Sequence, residues 1–178
     1  MGSIPDQTSE EGETISLYIN SYFADDDALS YSASGLPSGL SINSSTGEIT
    51  GTLPNESAGS NAVTVTATDG DDDVDQLFDW TVTDPSPVAV GTIPDQSTEE
   101  GVGGIFWDIT GYFSDPDGDT LSYSSSTLPP GLSVSSGGTV SGTISGGASS
   151  GSPYAVTITA SDGDHSVDQT FDWVVAAP

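Results

Sequence analysis

Val74-Asp75-Gln76-Leu77-Phe78-Asp79-Trp80 returns 93 residues later as Val167-Asp168-Gln169-Thr170-Phe171-Asp172-Trp173. Carried one step further, each copy places Phe78, Trp80 and Val82, or Phe171, Trp173 and Val175, at every second position with polar residues between. A period of two puts the apolar set on one face of a strand and the polar set on the other. Working outward, the same alternation runs through Ile15, Leu17, Ile19 and Val63, Val65, Ala67, and again through Ile105, Trp107, Ile109 and Val156, Ile158, Ala160. No window carries a helical period, so the chain is expected to be all-β, with six or seven strands in each copy.

The repetition covers the whole chain. Ile4-Pro-Asp-Gln7 returns as Ile93-Pro-Asp-Gln96, Tyr22-Phe23 as Tyr112-Phe113, Leu36-Pro-Ser-Gly-Leu40 as Leu128-Pro-Pro-Gly-Leu132, and Asp69-Gly70 as Asp162-Gly163. The offset grows only from 89 at Ile4 and Ile93 to 93 at Val74 and Val167, so the second copy differs by small insertions. A unit of about 88 residues is the size of an immunoglobulin-like sandwich. The expected division is 1–84 and 85–178, joined through Asp84-Pro85-Ser86-Pro87, whose two prolines make a short, stiff linker.

Composition limits the function. The 178 residues hold 27 Asp and Glu, no Lys or Arg and one His, for a formal net charge of −27. Such a chain repels nucleic acid and anionic membrane. Clustered carboxylates must here be solvated, hydrogen-bonded to backbone, or held by a cation. Leu, Ile, Val and Phe together number only 37, close to the level at which strongly charged chains fail to fold. Cysteine is absent, so no disulfide supports the core, and no apolar run reaches membrane-spanning length.

Two loops concentrate the charge: Tyr112-Phe-Ser-Asp-Pro-Asp-Gly-Asp-Thr-Leu-Ser-Tyr123 and its echo Tyr22-Phe-Ala-Asp-Asp-Asp-Ala-Leu-Ser-Tyr31. Asp115, Asp117 and Asp119 at alternate positions repel one another unless a cation sits among them, and Gly118 lets the loop bend. Hard oxygen donors on a bent loop suit calcium. An EF-hand is excluded, because Ser126 stands where the bidentate twelfth-position Glu would be and no helices flank the loop. His165, in Gly163-Asp164-His165-Ser166, reads as a hairpin-tip residue rather than a catalytic base. With one His and no basic side chain the chain is not expected to be an enzyme.

Several motifs stand in fixed order, twice: Ile-Pro-Asp-Gln, Glu-Gly, Tyr-Phe-x-Asp-x-Asp, Leu-x-Tyr, Leu-Pro-x-Gly-Leu-Ser, Gly-Thr, Asp-Gly and a final Phe-x-Trp-x-Val strand. In this order the chain resembles the bacterial cadherin-like repeats of the dystroglycan type, also called Ig-like repeats. The resemblance implies two tandem immunoglobulin/cadherin-like β-sandwiches with calcium at their junction. By the same resemblance the ligands are the first-strand Glu11 and Glu100, the loop residues Asp25, Asp27, Asp115, Asp117 and Asp119, the penultimate-strand Asp69 and Asp162, and Asp84 of the linker. Glu56, in Leu53-Pro-Asn-Glu56, matches a further ligand position that the second copy lacks. The implied protein is extracellular, a secreted or cell-surface bacterial protein in which the module is a calcium-rigidified extender or an adhesion module. Its implied partners are calcium, neighbouring repeats, other surface proteins or polysaccharide. The alternative from the residues themselves is a carbohydrate-binding accessory module of a polysaccharide-degrading enzyme, using Tyr18 and Phe106 on outward strand phases and Tyr154 at a strand start.

Overall fold

A computed structural model describes residues 2–178. The chain forms two compact units, Met1–Pro85 and Ser86–Pro178, each an all-β sandwich. In the first unit the strands are β1 (Gln7–Glu10), β2 (Thr14–Tyr18), β3 (Ser30–Ser34), β4 (Leu40–Ile42), β5 (Glu48–Thr52), β6 (Gly59–Thr68) and β7 (Asp73–Thr83). One sheet has the order β1-β7-β6-β3 and the other β2-β5-β4. β1 runs parallel to β7, and all the other pairings are antiparallel. The side chains facing inward between the sheets, led by Ile19, Ile49, Leu53, Val63, Val65 and Trp80, are almost wholly excluded from solvent.

The second unit repeats this with β9 (Gln96–Glu99), β10 (Ile105–Asp108), β12 (Ser122–Ser126), β13 (Leu132–Val134), β14 (Thr139–Gly142), β15 (Tyr154–Ser161) and β16 (Ser166–Ala176). Its sheets are β12-β15-β16-β9 and β10-β14-β13. Two strands exceed the sequence expectation: β8 (Val88–Ala89) and β11 (Phe113–Ser114) form a small antiparallel ladder, too short for any alternation to be written in sequence. Ile19, read as the end of a strand, instead leads into a single 3-10 turn, Asn20–Tyr22, with a matching turn at Thr110–Tyr112.

Both tryptophans of the returning motif are core, at 1% exposure for Trp80 and 2% for Trp173. Their indole N–H groups donate to Ser9 Oγ at 3.3 Å and Thr98 Oγ1 at 2.9 Å, so the largest buried side chains carry no orphaned donor. Trp107, half-buried, packs edge-on against Phe171 at 5.7 Å and Trp173 at 6.2 Å between ring centres. The Leu-Pro-x-Gly-Leu and Gly-Thr motifs also acquire a physical reason. Gly39 and Gly51 cross backbone to backbone, as do Gly131 and Gly142; a Cβ on Gly142 would lie 2.1 Å from the Gly131 carbonyl oxygen. Only glycine fits such a crossing.

Candidate metal centre

In the first unit the loop after the 3-10 turn folds onto itself, with the Asp27 N–H donating to Asp25 Oδ1 at 2.9 Å. Asp69, just beyond β6, turns the chain into β7: its Oδ1 accepts the N–H groups of Asp71 and Asp72, both at 2.8 Å. The Asp72 amide, then that of Asp71, holds the Asp69 carboxyl below its ordinary value. Carboxylate oxygens of Asp25, Asp27 and Asp69 lie within 4.8 Å of one another, the first two exposed and the third half-buried. Glu11 follows β1 and is only 4% exposed. Its Oε2 accepts the Glu56 N–H at 3.1 Å and its Oε1 accepts the Ala58 N–H, tying the loop before β6 to the end of β1. A Glu11 oxygen also lies within 4.8 Å of an Asp84 oxygen. Glu56 meets Glu11 through its backbone amide, with φ of 57°, while its own exposed carboxylate joins none of the acidic groupings among the described residues.

In the second unit Asp115 Oδ1 accepts the N–H groups of Asp117 and Asp119, both at 3.3 Å, which curls Asp-Pro-Asp-Gly-Asp around one carboxylate. Gly118, at φ of 93°, makes the curl possible. Asp117 and Asp119 bring oxygens within 4.8 Å of each other. The Asp115 side chain, followed by burial and the charges of Asp115 and Asp119, pushes the Asp117 carboxyl up to about 7. Asp162, beyond β15, repeats the part of Asp69: Oδ1 accepts the amides of Asp164 at 2.8 Å and His165 at 2.6 Å. His165 lies in the exposed turn between β15 and β16, as expected from sequence. Glu100 repeats the part of Glu11, accepting the Ser149 N–H at 2.6 Å, and contacts with Ser149 and the Gly147 amide hold its carboxyl below the ordinary value.

The second unit also carries an imbalance. Asp115 Oδ2 and Asp162 Oδ2 are buried and meet no hydrogen-bond donor among the described residues, the carboxyl of Asp117 being able to donate to the Asp115 side chain only when it carries a proton. Buried carboxylate oxygens are costly unless paired with a cation or a donor, and the chain has no Lys or Arg to offer. The donors are carboxylate oxygens apart from His165, whose ring nitrogen lies within 4.8 Å of an Asp162 oxygen, and so oxygen-rich a set fits a hard divalent cation such as calcium better than the nitrogen and sulfur coordination of zinc.

A family match covers almost the entire chain, in two successive segments, 1–83 and 86–176. The chain belongs to the family described as "Putative Ig domain". No curated protein matches it. Among solved structures, the two-repeat Ig-domain chain is similar to human protocadherin-24 EC1-2, at 17% identity and a TM-score of 0.41 over 97% of this chain and 94% of that one. It is similar to chicken VE-cadherin EC1-2 at 15% identity and 0.44, over 96% and 97%. It also matches an endo-fucoidan hydrolase of glycoside hydrolase family 107 at 17% identity and 0.41, spanning only 28% of that enzyme's length.

Other acids of the Ig-domain repeats, outside the expected ligand set, are structural fasteners to which the sequence reading gave no role. Asp6 Oδ1 accepts the Asp79 N–H and Asp95 Oδ1 the Asp172 N–H, both at 2.9 Å. Gln76 accepts from the Ile4 N–H at 2.7 Å and donates to the Tyr22 carbonyl at 2.9 Å; Gln169 does the same with Ile93 at 3.0 Å and Tyr112 at 2.7 Å. A polar residue returning unchanged in both copies of a half-buried strand was the available signal.

Proposed function

We propose that this chain is a calcium-binding tandem Ig-domain module of a larger extracellular bacterial protein, acting as an extender or adhesion element. The observation that carries the reading is the pair of buried oxygens without a hydrogen-bond partner among the described residues, Asp115 Oδ2 and Asp162 Oδ2, in a chain without Lys or Arg. Calcium supplies, when bound, the positive charge that these carboxylates lack and a flexible all-oxygen coordination sphere. Asp115, Asp117, Asp119 and Asp162 hold it in the second repeat. Glu11 and Asp84 offer a close oxygen pair in the first, with Asp25, Asp27 and Asp69 as a more exposed group. Glu11 and Glu100 keep lone pairs available beyond their amide bonds, since a carboxylate accepts about four hydrogen bonds. Glu56 takes part through its amide, which positions Glu11.

Extracellular calcium modules bind at roughly 0.1–1 mM. Calorimetric titration of the metal-stripped chain is expected to show binding in that range, with Asp162→Asn and Asp117→Ala each abolishing the tightest site. Asp27→Ala is expected to leave that site unchanged, because Asp27 is exposed and its group holds no buried orphan oxygen among the described residues. Absence of heat, together with equal melting temperatures in chelator and in millimolar calcium, would refute the proposal.

A further inference from the structure

The charge of this chain is unevenly placed. From Thr120 to Ser161 there is no Asp, Glu, His, Lys or Arg, although the chain as a whole carries −27. This stretch supplies β12, β13, β14 and β15 of the second repeat. At its edge, between β12 of one sheet and β13 of the other, an open groove of about 490 Å³ runs over the core. Its apolar lining is Tyr123, Leu128, Leu132 and Val134, all half-buried and packed on the core from below. The polar lining is four hydroxyls, those of Ser124, Ser125, Thr127 and Ser133. Among the described residues none of these four side chains has a hydrogen-bond partner, whereas other hydroxyls of the same repeat, such as those of Ser122, Thr159 and Ser161, donate to carbonyl or carboxylate oxygens.

Thr127 adds an independent observation. It adopts φ of 57°, a conformation that a β-branched side chain rarely takes. The first repeat has Gly35 at the equivalent position, also left-handed at φ of 74°, where an added Cβ would strike the Ala62 carbonyl oxygen at 2.1 Å. The second repeat therefore places a strained threonine where glycine serves, and that threonine lines the groove. Backbone strain held in place by surrounding structure gathers at binding sites.

We infer that the β12–β13 groove of the second repeat binds an uncharged polysaccharide segment. The match is chemical. A neutral sugar chain presents C–H faces to Tyr123, Leu132 and Val134 and hydroxyls to the four Ser and Thr groups, and a groove whose lining holds no charged side chain, with Asp108 the acid that acts on Tyr123, desolvates no lining ion to receive it. An anionic polymer would meet the field of 27 carboxylates. This site is separate from the proposed calcium ligands, none of which lines it.

The test is affinity electrophoresis of the full chain in millimolar calcium, through gels cast with dextran, xyloglucan or galactomannan, with alginate as the anionic comparison. At least one neutral polymer is expected to retard the protein, and alginate is not. Ser124→Glu combined with Ser133→Glu is expected to weaken retardation by about tenfold or more, since it places unpaired charge in the groove. Thr127→Gly relieves the strained φ, so it should preserve or raise the melting temperature and still weaken retardation several-fold. That combination would not arise from a merely structural threonine. Phe106→Ala and Tyr18→Ala, on exposed faces elsewhere, should change nothing. The inference is overturned if no neutral polymer retards the chain, if the double Glu variant is retarded equally, or if only Phe106→Ala or Tyr18→Ala abolishes retardation. It is also overturned if the β12 amide resonances respond to an extended peptide and not to the glycans.

Discussion

Asp117 and Glu11 show how differently two carboxylates of this chain are supported. Asp117, with a folded-state pKa near 7 against an ordinary 3.8, prefers its proton in the metal-free fold. A group raised in this way contributes stability that is fully present below about pH 3.8 and is lost as pH rises towards 7. Asp69, Glu100 and Asp108 are shifted down, so their contributions are present above the ordinary carboxylate range and are lost as pH falls through it. Metal-free protein should therefore become less stable between pH 5 and about pH 7, as read by urea midpoints; a steady rise over that interval would contradict the assignment. Glu11→Gln tests the other case. The amide replaces an oxygen acceptor with a donor facing a backbone N–H, and a loss of about 1–3 kcal/mol is expected even without calcium. The resemblance of the motif order to cadherin-like repeats placed Glu11, Asp115 and Asp162 among the acids of interest. It left Asp6 and Asp95 out of that set but gave them no role as fasteners across a strand pair, because hydrogen-bond partners more than 70 residues away leave no local trace.

Alternation and repetition made the strands legible at the scale of elements, since an inward set such as Val63, Val65 and Ala67 has one reading only. β8 and β11 were not legible, because two residues cannot alternate. The crossings of Gly39 over Gly51 and Gly131 over Gly142 were visible as repeated motifs but not as contacts, which depend on two sheet segments meeting. They make a sharp prediction. Gly142→Ala puts a methyl group against a carbonyl that cannot retreat, and on the order of 3 kcal/mol of stability should be lost. Gly111→Ala, which meets nothing within 4 Å and has no left-handed φ, should stay within about 0.5 kcal/mol of the parent chain. Thermal melts of both variants in calcium give the comparison, and equal losses would mean that the crossing is not what requires glycine.

At the scale of the whole molecule the controlling fact is a charge of −27 with no basic side chain to offset it. Self-repulsion of this kind is long-ranged in low salt and is screened over a Debye length of about 8 Å at physiological ionic strength. Metal-free protein should therefore gain stability steadily with sodium chloride. Calcium should act differently, because a specific site saturates: at about 100 times its dissociation constant a ligand adds about 2.7 kcal/mol per site. For units of this size that corresponds to on the order of 10 °C or more in melting temperature. The two contributions separate by dose. Millimolar calcium should exceed the effect of sodium chloride at equal ionic strength, and magnesium, which demands a tighter octahedral shell and dehydrates reluctantly, should fall between them. If sodium chloride at matched ionic strength reproduces the whole calcium effect, then the carboxylates are merely screened, and the buried oxygens of Asp115 and Asp162 are not calcium ligands.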